Sequence, residues 1–103
     1  MVVGITDSFQ KIVRSGLVLD LDAGFSRSYP GSGAIWYDLS GNGNNINFVN
    51  AYGTANPTYS NSYGGYLDLY NAAGDQVRYG QITVPASLKP TSITIEAWVK
   101  SSY

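Results

Sequence analysis

The residue types that could do chemistry are densest between residues 36 and 45, which read WYDLSGNGNN. Four side chains in this stretch offer the oxygen ligands that Ca²⁺ prefers: Asp38, Asn42, Asn44 and Asn45. Their spacing differs from that of an EF-hand loop, so calcium at Asp38 and Asn42 is the alternative interpretation. We favour a rigid turn, in which Asp38 accepts a hydrogen bond from the N–H group of Ser40 or Gly41.

The absence of two residue types narrows the possible chemistry. The chain contains no cysteine and no histidine. Disulfides, thiolate chemistry, an imidazole base and a Ser-His-Asp triad are therefore excluded, and a zinc or copper site is unfavourable. Six basic and seven acidic residues give a net charge of -1, and the basic residues are scattered singly. We expect no nucleic-acid partner, no membrane insertion and, without a signal peptide, a soluble protein.

Aromatic side chains are the second group that could bind a ligand, by stacking on sugar rings or by packing in subunit contacts. We select Trp98, Tyr59 and Tyr63 as the candidate ligand-binding residues. For Tyr59 and Tyr63 the sequence leaves two roles open, receptor binding and subunit packing. Trp36 is interpreted as a core side chain beneath the bend formed by residues 38–45.

Extended segments with alternating apolar and polar residues must position these side chains. Three segments show the period of two most clearly: residues 17–23, 66–70 and 93–99. In the first segment Asp20 and Asp22 share the polar face, where we expect solvation rather than a bound cation or an ion pair with Arg27. Weaker strand candidates are residues 46–49 and residues 76–84, the latter with a bulge or bend at Gly80.

Turns and loops are predicted for the remaining segments. Residues 50–65 are rich in Asn, Ser, Thr, Tyr and Gly, which is typical of a long surface loop. A single helical turn is expected over residues 86–89, between two prolines, and another from Asp7 to Val13. Strands dominate the pattern, so the sequence predicts one all-β domain.

Five segments together resemble the laminin-G-like or concanavalin A-like jelly-roll modules found in phage virion and tail fibre proteins. They are GLVLDLDAG (16–24), SYPGSG (28–33), WYDLSGNGNN (36–45), NPTYSNSYGGYLDL (56–69) and SITIEAWVK (92–100). The resemblance covers roughly residues 12–100 and implies an antiparallel β-sandwich. One departure lies at residues 70–75, where the family's aromatic-Asp-Gly turn is longer and lacks its first acid. The other is that five strands are counted where a jelly roll has about eight.

The resemblance also implies a domain organisation. Residues 1–15 would be an attachment arm, and residues 16–103 the N-terminal part of the sandwich. An apolar strand without a partner leaves an uncovered core surface. Either the chain is the front part of a longer protein, which we favour, or neighbouring subunits complete the sheet by strand exchange or face packing.

The function implied is that of a non-enzymatic virion structural or appendage protein, such as a tail fibre, neck or capsid decoration, on the particle exterior. The expected partners are other virion proteins through the arm, further copies of the chain, and cell-surface glycan. A stand-alone carbohydrate-binding module is the runner-up. A hydrolase comes third, because Glu96 is the only glutamate and the Glu-x-Asp-x-Glu strand of the hydrolase relatives is missing.

Overall fold

Antiparallel strands make up most of the regular structure in the computed structural model, which describes residues 13–50, 53–69, 78–83 and 85–99. The strands are β1 (Ile35–Trp36), β2 (Ile46–Asn50), β3 (Gly53–Thr54), β4 (Thr58–Ser60), β5 (Tyr66–Asp68) and β6 (Tyr79–Gln81). Two short 3₁₀ turns, Ser62–Gly64 and Ala86–Leu88, are the other elements of this part. The all-β prediction is confirmed at this level. The turn predicted from Asp7 lies outside the described residues, apart from Val13.

The larger sheet is built around β2. The strands β1 and β3 pair with its two ends, through Trp36 opposite Ile46 and Thr54 opposite Val49. The strand β6 pairs along the other edge of β2, and every pairing is antiparallel. A second sheet contains β4 and β5, with Tyr59 opposite Leu67.

The strand predictions are right for the middle of the chain. The segment at residues 46–49 lies in β2, the segment at 66–70 contains β5 over residues 66–68, and β6 lies within residues 76–84. The long loop expected at residues 50–65 is wrong, because β3 and β4 lie inside it. The Asn, Ser and Thr content of that segment indicated a loop, but β4 gains a backbone ladder with β5.

The bulge or bend predicted at Gly80 is not found. The register runs without a break from Asn47 opposite Gln81 to Val49 opposite Tyr79, with Gly80 facing Phe48. A Cβ atom at Gly80 would collide with the side chain of Ile46. Glycine is therefore required at this position by close packing and not by a bend in the strand.

Two predicted strands are wrong. Residues 17–22 have the alternating pattern of a strand but have no strand partner among the described residues. Their backbone groups bond instead to side chains of the loop at residues 38–44. Residues 93–99 also form no strand, and Ile93, Ile95 and Val99 are exposed. Alternation favours an extended chain, but a strand also needs a second chain segment for its hydrogen bonds, and the described residues supply none to this segment.

A small mixed core holds the two sheets. Tyr29 and Phe48 are its large buried side chains, and Ser28 is fully buried beside Tyr29. The ring of Trp36 stacks on that of Phe48 with centroids 6.0 Å apart, and the ring of Tyr59 lies 5.9 Å from that of Tyr29. Trp36 is half-buried in this stack, in keeping with its predicted core position.

Two further features shape the fold. The backbones of Gly24 and Gly65 approach so closely that a Cβ atom on Gly65 would touch the Cα atom of Gly24. The turn predicted between the prolines is confirmed, since the N–H groups of Leu88 and Lys89 donate to the carbonyl oxygens of Pro85 and Ala86.

Within the described ranges, no helix is long and apolar enough to span a bilayer.

Candidate functional site

The carboxylate of Asp38 lies at the centre of a hydrogen-bond network between two loops. Its Oδ1 atom accepts from the backbone N–H groups of Asp20 and Ser40, at 2.9 and 2.8 Å. Its Oδ2 atom accepts from the Ser40 hydroxyl and the Asn44 N–H group, at 2.7 and 3.0 Å. The predicted bond from the Ser40 N–H group is therefore present, and the carboxylate meets four donors in total.

Asparagine side chains of the same loop bond to the segment before it. The Asn42 amide donates to the carbonyl oxygen of Leu17 at 3.0 Å, and the buried Asn44 amide donates to that of Val18 at 2.7 Å. The Asn45 side-chain oxygen accepts from the N–H group of Asp38 at 3.0 Å. We call Asp38 and Asn44, with the residues they bond, the Asp38 network.

The network determines the protonation of its two acids. Burial raises the pKa of Asp38, but the hydrogen bonds from Ser40, Asp20 and Asn44 outweigh it, so the pKa lies below its ordinary value of 3.8. The pKa of Asp20 is raised, mainly by burial and further by Asp22 and Asp38, against the opposing charge of Arg14. The fold thus stabilises the anionic form of Asp38, whereas it makes ionisation of Asp20 less favourable than in water.

This geometry bears on the calcium alternative. A carboxylate has about four lone-pair positions, and those of Asp38 already face four N–H or O–H donors. The side-chain NH₂ groups of Asn42 and Asn44 donate to backbone carbonyl oxygens, and an amide NH₂ group is not a cation ligand. No cluster of three or more acidic side chains suited to a metal occurs in the described part of the chain. The arrangement fits a structural acceptor better than a cation ligand.

The pair Asp20 and Asp22 is also placed differently from the expectation of simple solvation. Asp20 is half-buried and interacts with Arg14, whose guanidinium group lies 3.4 Å from the carbonyl oxygen of Leu39. Asp22 accepts from the N–H group of Gly24 at 2.8 Å. The guanidinium carbon of Arg27 lies 6.0 Å from the centre of the Phe25 ring, a cation–π arrangement.

An open cleft of about 1580 Å³ lies next to this network. Its walls are mostly apolar and include Leu19, Leu21, Trp36, Phe48 and Leu67. Residues 96–99 line it from another side. We call this feature the leucine cleft. A smaller cleft of about 690 Å³ lies between residues 13–19 and residues 92–96.

The structure brings together two of the three aromatic residues selected from the sequence. Trp98 and Tyr63 both line the leucine cleft, and both side chains are almost fully exposed. Glu96 lines the cleft as well. Tyr59 is not among the residues that line it, because its ring packs on Tyr29 in the core. Tyr63 has a positive φ of 53° within the 3₁₀ turn at residues 62–64.

Two features of the cleft escaped sequence reasoning. The alternation predicts that Leu19 and Leu21 share one strand face and that Leu67 lies on a face of another strand, but not that all three line an open cleft. Trp36 packs on Phe48 as expected, but its indole N–H group is buried and has no hydrogen-bond partner among the described residues. A buried indole usually finds an acceptor. Alternation in a sequence predicts which side chains share a face, but it does not predict what lies opposite that face.

Comparison of the chain with family models, curated proteins and solved structures found no match. A proposal for the function therefore depends on the residues described above and on the sequence resemblance.

Proposed function

We propose that the chain is a non-catalytic structural module of a virion appendage, with a jelly-roll sandwich of the laminin-G-like type. The segments GLVLDLDAG to SITIEAWVK support the family and the virion setting. The paired antiparallel sheets are compatible with one half of such a sandwich. In this proposal the module sits on the particle exterior and contacts other virion proteins.

One observation carries the assembly role. The segment at residues 93–99 exposes Ile93, Ile95 and Val99, and it borders the apolar walls of the leucine cleft. Contiguous exposed apolar surface of this kind marks an interaction site. The carboxylate of Asp38 accepts hydrogen bonds from three backbone N–H groups and the Ser40 hydroxyl, which supports a scaffold rather than a catalytic centre.

Particle incorporation tests the proposal. Deletion of residues 1–13, which make up most of the expected arm, should remove the protein from purified particles. The deleted chain should keep the tryptophan fluorescence and circular dichroism of the full chain, which serves as the control for folding. Incorporation at the level of the full chain would contradict the role of the arm. A protein that is produced in infected cells but missing from particles would contradict the virion assignment.

Glycan binding is the second candidate, favoured by the exposed rings of Tyr63 and Trp98 on the same cleft as Glu96. Exposed aromatic rings beside a polar group can stack on sugars. Saturable binding on a glycan array should be lost in Trp98→Ala and Tyr63→Ala. The matched control is Tyr79→Ala, because Tyr79 is exposed on β6 and lies outside the residues that line the cleft. Equal loss in all three variants would contradict a defined site.

A further inference from the structure

The leucine cleft has enough volume for an added strand. A strand of seven residues, about 23 Å long, 4.8 Å wide and 10 Å deep between sheets, fills roughly 1,100 Å³. The cleft measures about 1580 Å³. Small-molecule pockets usually hold about 300–1,000 Å³ and are closed around their ligand. An extended polypeptide is therefore the better fit to this open, apolar space.

The walls of the cleft offer what an inserted strand requires. Leu19, Leu21 and Leu67 present apolar surface. Trp36 and Phe48 add aromatic surface to the same walls. The strand β5, which pairs with β4, also lines the cleft.

The chain carries a segment with the matching pattern. Residues 93, 95, 97 and 99 are apolar and alternate with polar or aromatic residues. The side chains of Ile93, Ile95 and Val99 are 57, 78 and 88% exposed, so this face is covered by nothing in the described structure. In the same molecule, residues 96–99 reach one rim of the cleft without filling it.

We propose that residues 93–99 of a second copy insert into the leucine cleft, so that two copies form a dimer by reciprocal strand exchange. This inference rests on the assembly role proposed above, because it names the partner of the same surface. Ile93, Ile95 and Val99 pack on the leucine walls, while Glu96 and Trp98 remain on the outer face.

The area and the charge are compatible with a dimer. Covering three large aliphatic side chains removes roughly 300 Å² of apolar surface per segment, so two segments and the walls that they cover bury about 1,200 Å² in total. That value lies at the lower end for specific interfaces, so we expect a reversible dimer. The net charge of -1 per chain adds little repulsion between copies.

Sedimentation velocity of the full chain between about 1 and 100 µM tests the proposal. We expect a monomer–dimer equilibrium that Ile95→Lys weakens at least tenfold. The matched control is Thr94→Lys, which adds the same charge one residue away on the opposite face and should leave the equilibrium unchanged. Both positions are exposed, so neither variant should disturb folding, and circular dichroism checks this.

A cross-linking experiment distinguishes strand exchange from contact through another surface. Because the chain has no cysteine, Leu21→Cys and Ala97→Cys introduce single thiols. A mixture of the two variants should form a disulfide-linked dimer under mild oxidation, in several-fold excess over either variant alone. A chain that stays monomeric at 100 µM, or a dimer that both lysine variants weaken equally, would overturn the proposal. Particle incorporation of such a monomer would leave the virion role intact and reject only strand exchange.

Discussion

Residues 17–22 and residues 93–99 have the same apolar–polar alternation but very different surroundings. Neither segment is part of a sheet. The first segment is fixed by side chains of the loop at residues 38–44, which bond to the backbone of Leu17, Val18 and Asp20. The second has exposed side chains throughout its described length. The comparison shows that short polar side chains can replace the ladder of a neighbouring strand, and that an extended segment without such help stays on the surface.

The largest effect is expected for Asp38→Asn, because it replaces one acceptor oxygen by a donor that faces the N–H and O–H groups of Ser40 and Asn44. We expect a loss of about 3 kcal/mol in the free energy of unfolding, since donors within the network lose a charged acceptor. Urea denaturation measures it. Glu96→Gln makes the same chemical change at an exposed position and should alter the free energy by less than about 0.5 kcal/mol. Similar values for the two variants would show that the network does not hold the loops in solution.

The next effect concerns the sheet itself. Gly80→Ala places a Cβ atom against the side chain of Ile46, and overpacking of this kind costs about 1–3 kcal/mol. The double variant Gly80→Ala with Ile46→Ala removes the obstructing methyl group, so its loss should be smaller than the sum of the two single losses. A thermodynamic cycle from denaturation curves gives this coupling. Strict additivity would place Ile46 away from Gly80.

A smaller loss is expected for Asn44→Ala, in the Asp38 network. The Asn44 side chain is 7% exposed and donates to the carbonyl oxygen of Val18, which would lose its partner. The expected cost is about 1–2 kcal/mol. Asn47→Ala is the control, because Asn47 is exposed on β2. A larger loss in the control than in Asn44→Ala would reverse the ranking and contradict the proposed attachment of residues 17–22.

The sequence predicts this fold best where local pattern and pairing agree. The strands β2 and β5 follow from alternation, and the bond between Asp38 and Ser40 follows from the chemistry of a short acid before a bend. Pairing between distant segments is not encoded in the alternation itself. For that reason residues 17–22 and 93–99 were wrongly expected in sheets, and the long loop was wrongly expected to contain no strands.

The candidate site was predictable only in its exposed aromatics. Trp98 and Tyr63 could be selected because loops and strand faces expose such rings, and the structure places both on the leucine cleft. Tyr59 lies in a segment of similar composition, but its ring packs on that of Tyr29, which is distant in the sequence. The unpartnered N–H group of Trp36 depends on what surrounds it in three dimensions, so no local signal could reveal it.

A pH-dependent gain is expected for Asp20→Asn. The pKa of Asp20 is raised above 3.8 in the fold, mainly by burial, so the folded state binds more protons than the unfolded chain as the pH rises past 3.8. Stability is therefore lost through that window, and the loss persists at neutral pH. Asp20→Asn should be more stable than the parent at pH 7, by less than about 1 kcal/mol. The difference should vanish below pH 3.8, and a stabilisation that grows in acid would contradict the assignment.

The smallest effect is expected for Ile95→Thr in the exposed segment. The Ile95 side chain is 78% exposed, so removing its apolar surface should change the unfolding free energy of the monomer by less than about 0.5 kcal/mol. The measurement requires a protein concentration below that at which dimers form. At higher concentration the same substitution should lower the apparent stability, since it removes a contact made only between copies. A loss above 1 kcal/mol in the dilute sample would mean that residues 93–99 pack against their own chain, and the contrast with residues 17–22 would disappear.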